Sequence, residues 1–287
     1  MAPSLSLPPP LVAQAVKLAL AEDLGQAGDV TTDAIVPEDA VADARIVARE
    51  AGVIAGLDLA EAAFKALDPD LHFNPVAADG DAAAAGDTVA DIHGKARAIL
   101  SAERVALNFL GRLSGIASLT AQFVERVRGT GATIIDTRKT TPGLRAFEKY
   151  AVLAGGGGNH RFGLYDAVLV KDNHIAEAGG IGPALDAIEK HVGRALRIEV
   201  EVDRLDQLQE ALALPIDAVL LDNMDSATLE EAVRMVHAQA AGKIATEASG
   251  GVTLETVRKI AETGVDFISI GALTHSPKNL DLSLDWR

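Results

Sequence analysis

Positive side chains collect at the ends of two apolar runs in this sequence. ATIIDTRK (132–139) closes on Arg138 and Lys139, and AVLVKDNH (167–174) on Lys171 and His174, with His160 and Arg161 shortly before the second run. Arginine forks match carboxylates and phosphates bidentately, while lysine supplies a movable point charge, so the set suits a ligand with several negative charges. Taken singly, each of these residues reads more plainly as solvated surface charge. Their repetition at consecutive strand ends favours a site. Carboxylates occupy the comparable positions further on: Glu199 and Glu201 in RIEVEVD (197–203), Asp222 in AVLLDN (218–223) and Glu247 in KIATEASGG (243–251). Residues 199 and 201 share one face of a strand, so at least one of them is expected inside the fold. Carboxylates opposite phosphates suit Mg²⁺, which takes one or two of them together with substrate oxygens. They can equally stabilise a cationic transition state, or simply pair with the cations.

Two small-residue clusters complete the set. EASGGV (247–252) and SIGALTHS (269–276) close the last two apolar runs, where free backbone N–H groups bind phosphate in many barrels; each Gly pair alone would mark only a turn. The four glycines 155–158 read either as a flexible loop or as a lid that lets backbone approach a ligand. His160, His174 and His275 each read as hydrogen-bonded rim residues, since no HExxH or other spaced histidine pair points to zinc. The sequence lacks GxGxxG, P-loop, GxSxG and triad-like sets, which sets aside dinucleotide-dependent oxidoreductases, P-loop kinases and α/β-hydrolases.

The elements that position these groups follow from periodicity. Residues 11–22 carry apolar residues at helical spacing, and 41–96 alternate in short runs that read as strands around a helix at 60–67. Residues 97–128 form one long helical pattern with a bend expected near Ser114-Gly115. Its apolar stripe includes Ile99, Ala102, Ala106, Phe109, Leu113 and Ile116, and Arg104, Asn108 and Arg112 line another face. Six apolar runs then alternate with amphipathic helices such as 203–214 and 226–240, the pattern of parallel β/α architecture. The runs lack alternation, as expected when both faces of a sheet are covered. In a β/α barrel the C-terminal strand ends surround the active site, so the charged clusters are expected on one rim.

Composition sets the outer limits. With 287 residues, 48% hydrophobic and 23% charged, the chain is of the water-soluble globular type and large enough for one big or two modest domains. A net charge of −15 argues against general nucleic-acid or anionic-membrane binding, but leaves room for a small anion in a locally cationic pocket. The absence of cysteine excludes disulfides, thiolate metal sites and a Cys nucleophile. MAPSLSLPPP has no basic n-region and reads as a frayed arm rather than a signal peptide, and no run of about eighteen apolar residues suggests a membrane span.

DTRKTTPGLR, GGGGNHRFGLYDAVLVKDNHI, EVEVD, LLDN, EASGG and GALTHS, in this order, resemble the quinolinate phosphoribosyltransferase family; EDLGQAGDVTTDAI and AREAGVIAGL are similar to its N-terminal part. The resemblance runs from about residue 11 onward. Ala248 departs from the ESSGG-like form, and the proline-rich arm has no counterpart. What the resemblance implies is a cytoplasmic type II phosphoribosyltransferase that joins quinolinate to phosphoribosyl pyrophosphate with Mg²⁺, releasing pyrophosphate and CO₂ and yielding nicotinate mononucleotide for NAD synthesis. It implies an α/β fold: an N-terminal α/β sandwich (1–112), to which the tail 277–287 returns, and an incomplete, about seven-stranded α/β barrel (113–276). It also implies a homodimer with shared active sites, in which Arg104 reaches the neighbour's quinolinate.

By the same resemblance Arg104, Arg138, His160, Arg161 and Lys171 hold quinolinate, with Thr137 also on the substrate and Lys139 nearer the phosphoribosyl groups. Glu201 and Asp222 face the ribose and Mg²⁺. Ser249, Gly250, Gly251, Gly271 and Ala272 cradle the 5′-phosphate, with His275 close by. Lys139, Lys171, Glu201 and Asp222 are the expected catalytic groups. The rivals are a relative with another acceptor or a molybdenum-associated role, a Schiff-base aldolase or lyase using Lys139 or Lys171, and a non-catalytic anion binder.

Overall fold

The structure is a computed structural model that describes residues 6–193, 195–240 and 244–287. The first five residues of the expected arm, and Lys243 at the start of the run 243–251, lie outside the described residues. The chain divides into two compact units: 6–121 with 141–156 and 276–287, and 122–140 with 157–275.

In the first unit the helix Pro9–Leu24 begins inside the proline cluster, so residues 9 and 10 belong to a helix rather than to the arm read from the sequence. Proline fits there because a first-turn N–H has no intrahelical acceptor to lose. Strands β1 (Val41–Ala48), β2 (Gly52–Val53), β3 (His72–Pro75), β4 (Ala82–Ala83) and β5 (Thr88–Lys95) follow. The last strand of the chain joins them: Leu282–Trp286, labelled β12 in chain order below, pairs antiparallel with β1, giving the sheet order β12-β1-β5-β3. The expected return of the tail to this sheet is what the strand pairing shows.

The long helix runs unbroken from Ala96 to Val127. Its expected stripe is buried, Phe109 only partly. Gly111 and Gly115 admit the tail: the Leu280 N–H donates to the Gly111 carbonyl at 2.9 Å, and a Cβ on Gly115 would sit 2.1 Å from the Lys278 carbonyl oxygen. Glycine there serves close backbone approach, and the helix continues through the expected bend position.

The compact units part at 121/122, inside the long helix that carries the expected boundary 112/113, and residues 141–156, read as barrel, group with the first unit. The reason lies in polar anchors on the helix Arg145–Ala154. Glu148, fully buried, accepts from Arg112 Nη2 at 2.8 Å, from the Thr141 N–H at 3.0 Å and from Thr141 Oγ1 at 2.8 Å. Tyr150 Oη donates to Asp79, whose carboxylate also takes the N–H groups of Gly56 and Leu57. A buried carboxylate is tolerated only when it is paired in this way.

The second unit is the barrel. Strands β6 (Thr133–Ile135), β7 (Val168–Val170), β8 (Ile198–Val202), β9 (Ala218–Asp222), β10 (Ala245–Ser249) and β11 (Phe267–Ser269) make one sheet in the order β6-β11-β10-β9-β8-β7. Every pairing is parallel. On its other edge β6 makes a single parallel bridge from Ile135 to Gly158, a rudimentary seventh strand. An incomplete α/β barrel results. Val200, Val219, Leu221 and Ile268 are fully buried, and each such side chain contributes about 1.5–3 kcal/mol. The parallel register sets Ser249 beside Asp222 and Glu201 beside Leu220, so the polar strand ends emerge along one rim. Among the described residues no helix is long and apolar enough to cross a membrane.

Candidate active site

One cavity of about 700 Å³ opens at that rim. β6 runs into Thr137, Arg138 and Lys139, and the Gly158 segment into His160 and Arg161. β7 leads to Lys171, β8 ends in Glu201 and β9 in Asp222 with Asn223. β10 leads into Ser249, Gly250 and Gly251, and β11 into Gly271, Ala272 and His275; all of these line the cavity. Every residue to which the family resemblance gives a substrate-binding or catalytic role is therefore here except Arg104. That residue sits exposed on the long helix of the first unit, with Glu103 at 4.0 Å.

The cavity has a cationic wall and an acidic one. Lys171 Nζ meets Glu201 Oε2 at 2.5 Å. Arg161 donates from Nη1 to the Ala167 carbonyl at 3.1 Å; burial first, and then the nearby Arg138 charge, lower its pKa. Arg138 Nε is buried without a hydrogen-bond partner among the described residues. Where one guanidinium crowds another in this way, an incoming anion gains.

At the glycine edge, backbone geometry explains the residue choice. Gly250 has φ +98°, and a Cβ on it would lie 2.1 Å from Asn223 Oδ1. Asn223 itself has φ 54°, holds Asp222 Oδ2 through Nδ2 at 2.8 Å, and donates its N–H to the Ser249 carbonyl at 2.9 Å. Asn223 lines the cavity and was missed in the sequence reading. The signal was available, because Asn after a strand end tolerates a left-handed turn. Ser269, also in the lining, completed a strand rather than a motif, whereas Glu247 had been read as part of the acidic set. Thr274 Oγ1 donates to the Lys139 carbonyl at 2.8 Å, tying the β6 loop to the turn after β11.

Three other features singled out in the sequence lie outside the lining. The GGGG glycines do not line the cavity. Gly155 lets backbone meet the long helix, where a Cβ would lie 2.4 Å from the Ala117 carbonyl oxygen, and Gly158 bridges β6. They make room for the protein's own backbone, not for a ligand. His174 is likewise absent from the lining; its Nδ1 accepts the Lys171 N–H at 3.0 Å at the start of the helix Asp172–Ala178. Arg112, on the polar line with Arg104, is committed to Glu148 within the chain.

His160, Glu199 and Glu247 bring three potential metal ligands within 4.8 Å of one another. The hydrogen bonds speak against a metal there. His160 Nδ1 accepts the Arg161 N–H at 2.7 Å, so the ring proton inferred from the network sits on Nε2, facing Glu199 Oε2 at 3.1 Å and Glu247 Oε2 at 3.4 Å. Burial opposes charge on the ring, yet the two carboxylates push its pKa up to about 9. The Arg161 N–H opposes a second proton at Nδ1. In either charge state Nε2 carries hydrogen and serves as a donor, not a ligand. Glu201 and Asp222 are a better fit to a hard cation. Both line the cavity, and both border an adjoining recess of about 270 Å³ with Asp172 and Asp203.

Comparison with known proteins agrees with this architecture. Residues 29–114 match the model for the quinolinate phosphoribosyl transferase N-terminal domain, and residues 116–285 match that for its C-terminal domain. A quinolinate phosphoribosyltransferase [decarboxylating] 2b of Nicotiana tabacum is 44% identical over 98% of this chain and 85% of its own. A probable nicotinate-nucleotide pyrophosphorylase [carboxylating] of Bacillus subtilis is 45% identical over 92% of this chain and 89% of its own. The crystal structure of NadC from Streptococcus pyogenes superposes with a TM-score of 0.93 at 41% identity, covering 98% of this chain and 99% of that one. With likeness in sequence and fold running nearly end to end, the chain belongs to the quinolinate phosphoribosyltransferase family.

Proposed function

We propose that the cavity joins quinolinate to phosphoribosyl pyrophosphate and decarboxylates the product, giving nicotinate mononucleotide, pyrophosphate and CO₂ on the de novo route to NAD. The observation that carries this reading is a single cavity with Arg138, Arg161 and Lys171 on one wall, Glu201 and Asp222 on the other, and the glycine turns 250–251 and 271 at its edge. Quinolinate brings two carboxylates to the cationic wall, where Thr137 and Arg138 hold it, while Lys139 lies toward the phosphoribosyl groups. The backbone amides of Ser249, Gly250, Gly251, Gly271 and Ala272 cradle the 5′-phosphate, with His275 beside them.

Held so, the quinolinate nitrogen attacks C1 of the ribose as the bond to pyrophosphate breaks. Positioning supplies much of the rate, because a two-substrate encounter becomes a step within one complex. Glu201 and Asp222 stabilise the positive charge that develops on the ribose. They are also the residues that would hold Mg²⁺, which would neutralise pyrophosphate oxygens as that group departs. With the ring nitrogen ribosylated, the cationic ring accepts the electron pair left when the C2–carboxylate bond breaks; CO₂ departs and C2 takes up a proton. Lys171, freed from Glu201 by substrate, steadies the negative charge developing beside the ring. No covalent enzyme intermediate is needed.

Arg104, exposed on its own chain, belongs in this reading to the cavity of a second subunit in a homodimer with shared sites. Cysteine-free composition accords with the cytoplasm as the location. The test is CO₂ release from quinolinate: it is expected only with phosphoribosyl pyrophosphate and Mg²⁺ both present, and release without phosphoribosyl pyrophosphate would overturn the reading.

A further inference from the structure

Beneath the cationic wall the turn 159–161 is held from every side. At the end of β6, Asp136 is fully buried; its Oδ1 accepts the His160 N–H at 2.9 Å and its Oδ2 accepts Asn159 Nδ2 at 2.6 Å. The His160 ring is occupied at both nitrogens, Nδ1 by the next residue's N–H and Nε2 by Glu199 of β8 and Glu247 of β10. Both glutamates are buried. Glu247 keeps one oxygen, Oε1, buried and without a hydrogen-bond partner among the described residues. Leaving a buried carboxylate oxygen unpaired costs free energy, so the glutamate must be held there by what its other oxygen does. That oxygen faces His160 at 3.4 Å, and Ser269 also hydrogen-bonds the carboxyl.

We propose that Glu199 and Glu247 are positioning residues for the substrate's carboxylate end. Acting through the Nε2–H of His160, they fix the 159–161 turn and so hold the Arg161 guanidinium at the cavity wall. The proposal rests on the reaction read above, and it changes the part that the family resemblance implies for His160. A ring with both nitrogens engaged by protein acts as a brace, and the direct donor to the quinolinate carboxylate is the next residue, Arg161. The brace joins three strands of the barrel to one substrate-facing side chain. Arginine needs that support, because a bidentate fork misaligned by an ångström loses most of its advantage over a point charge.

The test is a set of purified full-length variants, Glu247→Gln, Glu199→Gln and His160→Ala, and the two doubles that combine each glutamine with His160→Ala. Each is assayed for the KM of both substrates and for kcat. The wild type serves as the control for the reaction itself: if it does not release CO₂ from quinolinate, the functional reading fails, whereas the brace is judged only on differences among active variants. Glu247→Gln is expected to raise the KM for quinolinate at least tenfold while leaving the KM for phosphoribosyl pyrophosphate within twofold. In the His160→Ala background the same substitution is expected to change neither. Equal rises in both KM values, an unchanged quinolinate KM, or effects that multiply independently in the double variant would overturn the proposal. Glu199→Gln must give the same split and the same coupling, and it decides the matter if Glu247→Gln does not fold.

Discussion

Lys171 Nζ and Glu201 Oε2 stand 2.5 Å apart in the cavity, one from the end of β7 and one from the end of β8. The lysine side chain is 44% exposed, so the pair adds little to stability. Its meaning is chemical. Each partner holds the other in place, and in the proposed reaction substrate divides them.

Lys171→Ala is therefore expected to lower kcat by about 100-fold or more, the usual loss when a group that stabilises developing charge is removed. The thermal midpoint should move by no more than about 2–4 °C, the equivalent of about 1 kcal/mol in a chain of this size. Steady-state kinetics beside a melting curve checks both; a wild-type rate would remove Lys171 from the chemistry.

Arg138→Lys keeps the charge and loses the fork. If Arg138 grips a carboxylate bidentately, kcat/KM for quinolinate should fall about 100-fold while the KM for phosphoribosyl pyrophosphate hardly moves. Near-equal losses for the two substrates would place Arg138 elsewhere.

Mixing tests Arg104. In the proposed homodimer, Arg104→Ala and Glu201→Ala are each expected to be inactive alone. After subunit exchange, mixed dimers carry one site with both residues intact, so about a quarter of wild-type activity should return at full statistical mixing. Mixed dimers that stay inactive would confine Arg104 to its own chain.

Gly250→Ala asks for a Cβ at 2.1 Å from Asn223 Oδ1 on a backbone at φ +98°. The turn must shift, and left-handed backbone costs a non-glycine residue about 1–2 kcal/mol. The KM for phosphoribosyl pyrophosphate is expected to rise at least tenfold, with quinolinate binding measured by calorimetry unchanged.

The rim was legible in the sequence because parallel strands covered on both faces become uninterrupted apolar runs, and whatever polar residue follows such a run must emerge at the strand's end. That logic placed Arg138, Lys171, Glu201, Asp222 and Ser249 without knowledge of packing. It failed for the helix Arg145–Ala154, because a buried Glu148 becomes acceptable only once Arg112 and Thr141 are seen around it. It failed for Gly155 and Gly158 because glycine reports only that something comes close. Whether a ligand or the protein's own backbone is the neighbour depends on contacts distant in sequence. His160 shows the same limit: its spacing marked it for the site, and only the three-dimensional network reveals that its ring faces inward.

The pairing of Leu282–Trp286 with Val41–Ala48 has a consequence for biosynthesis. An emerging polypeptide cannot finish its first sheet until residues 282–286 have left the ribosome, so that sheet keeps an unpaired edge until then, while the barrel strands made earlier can already assemble.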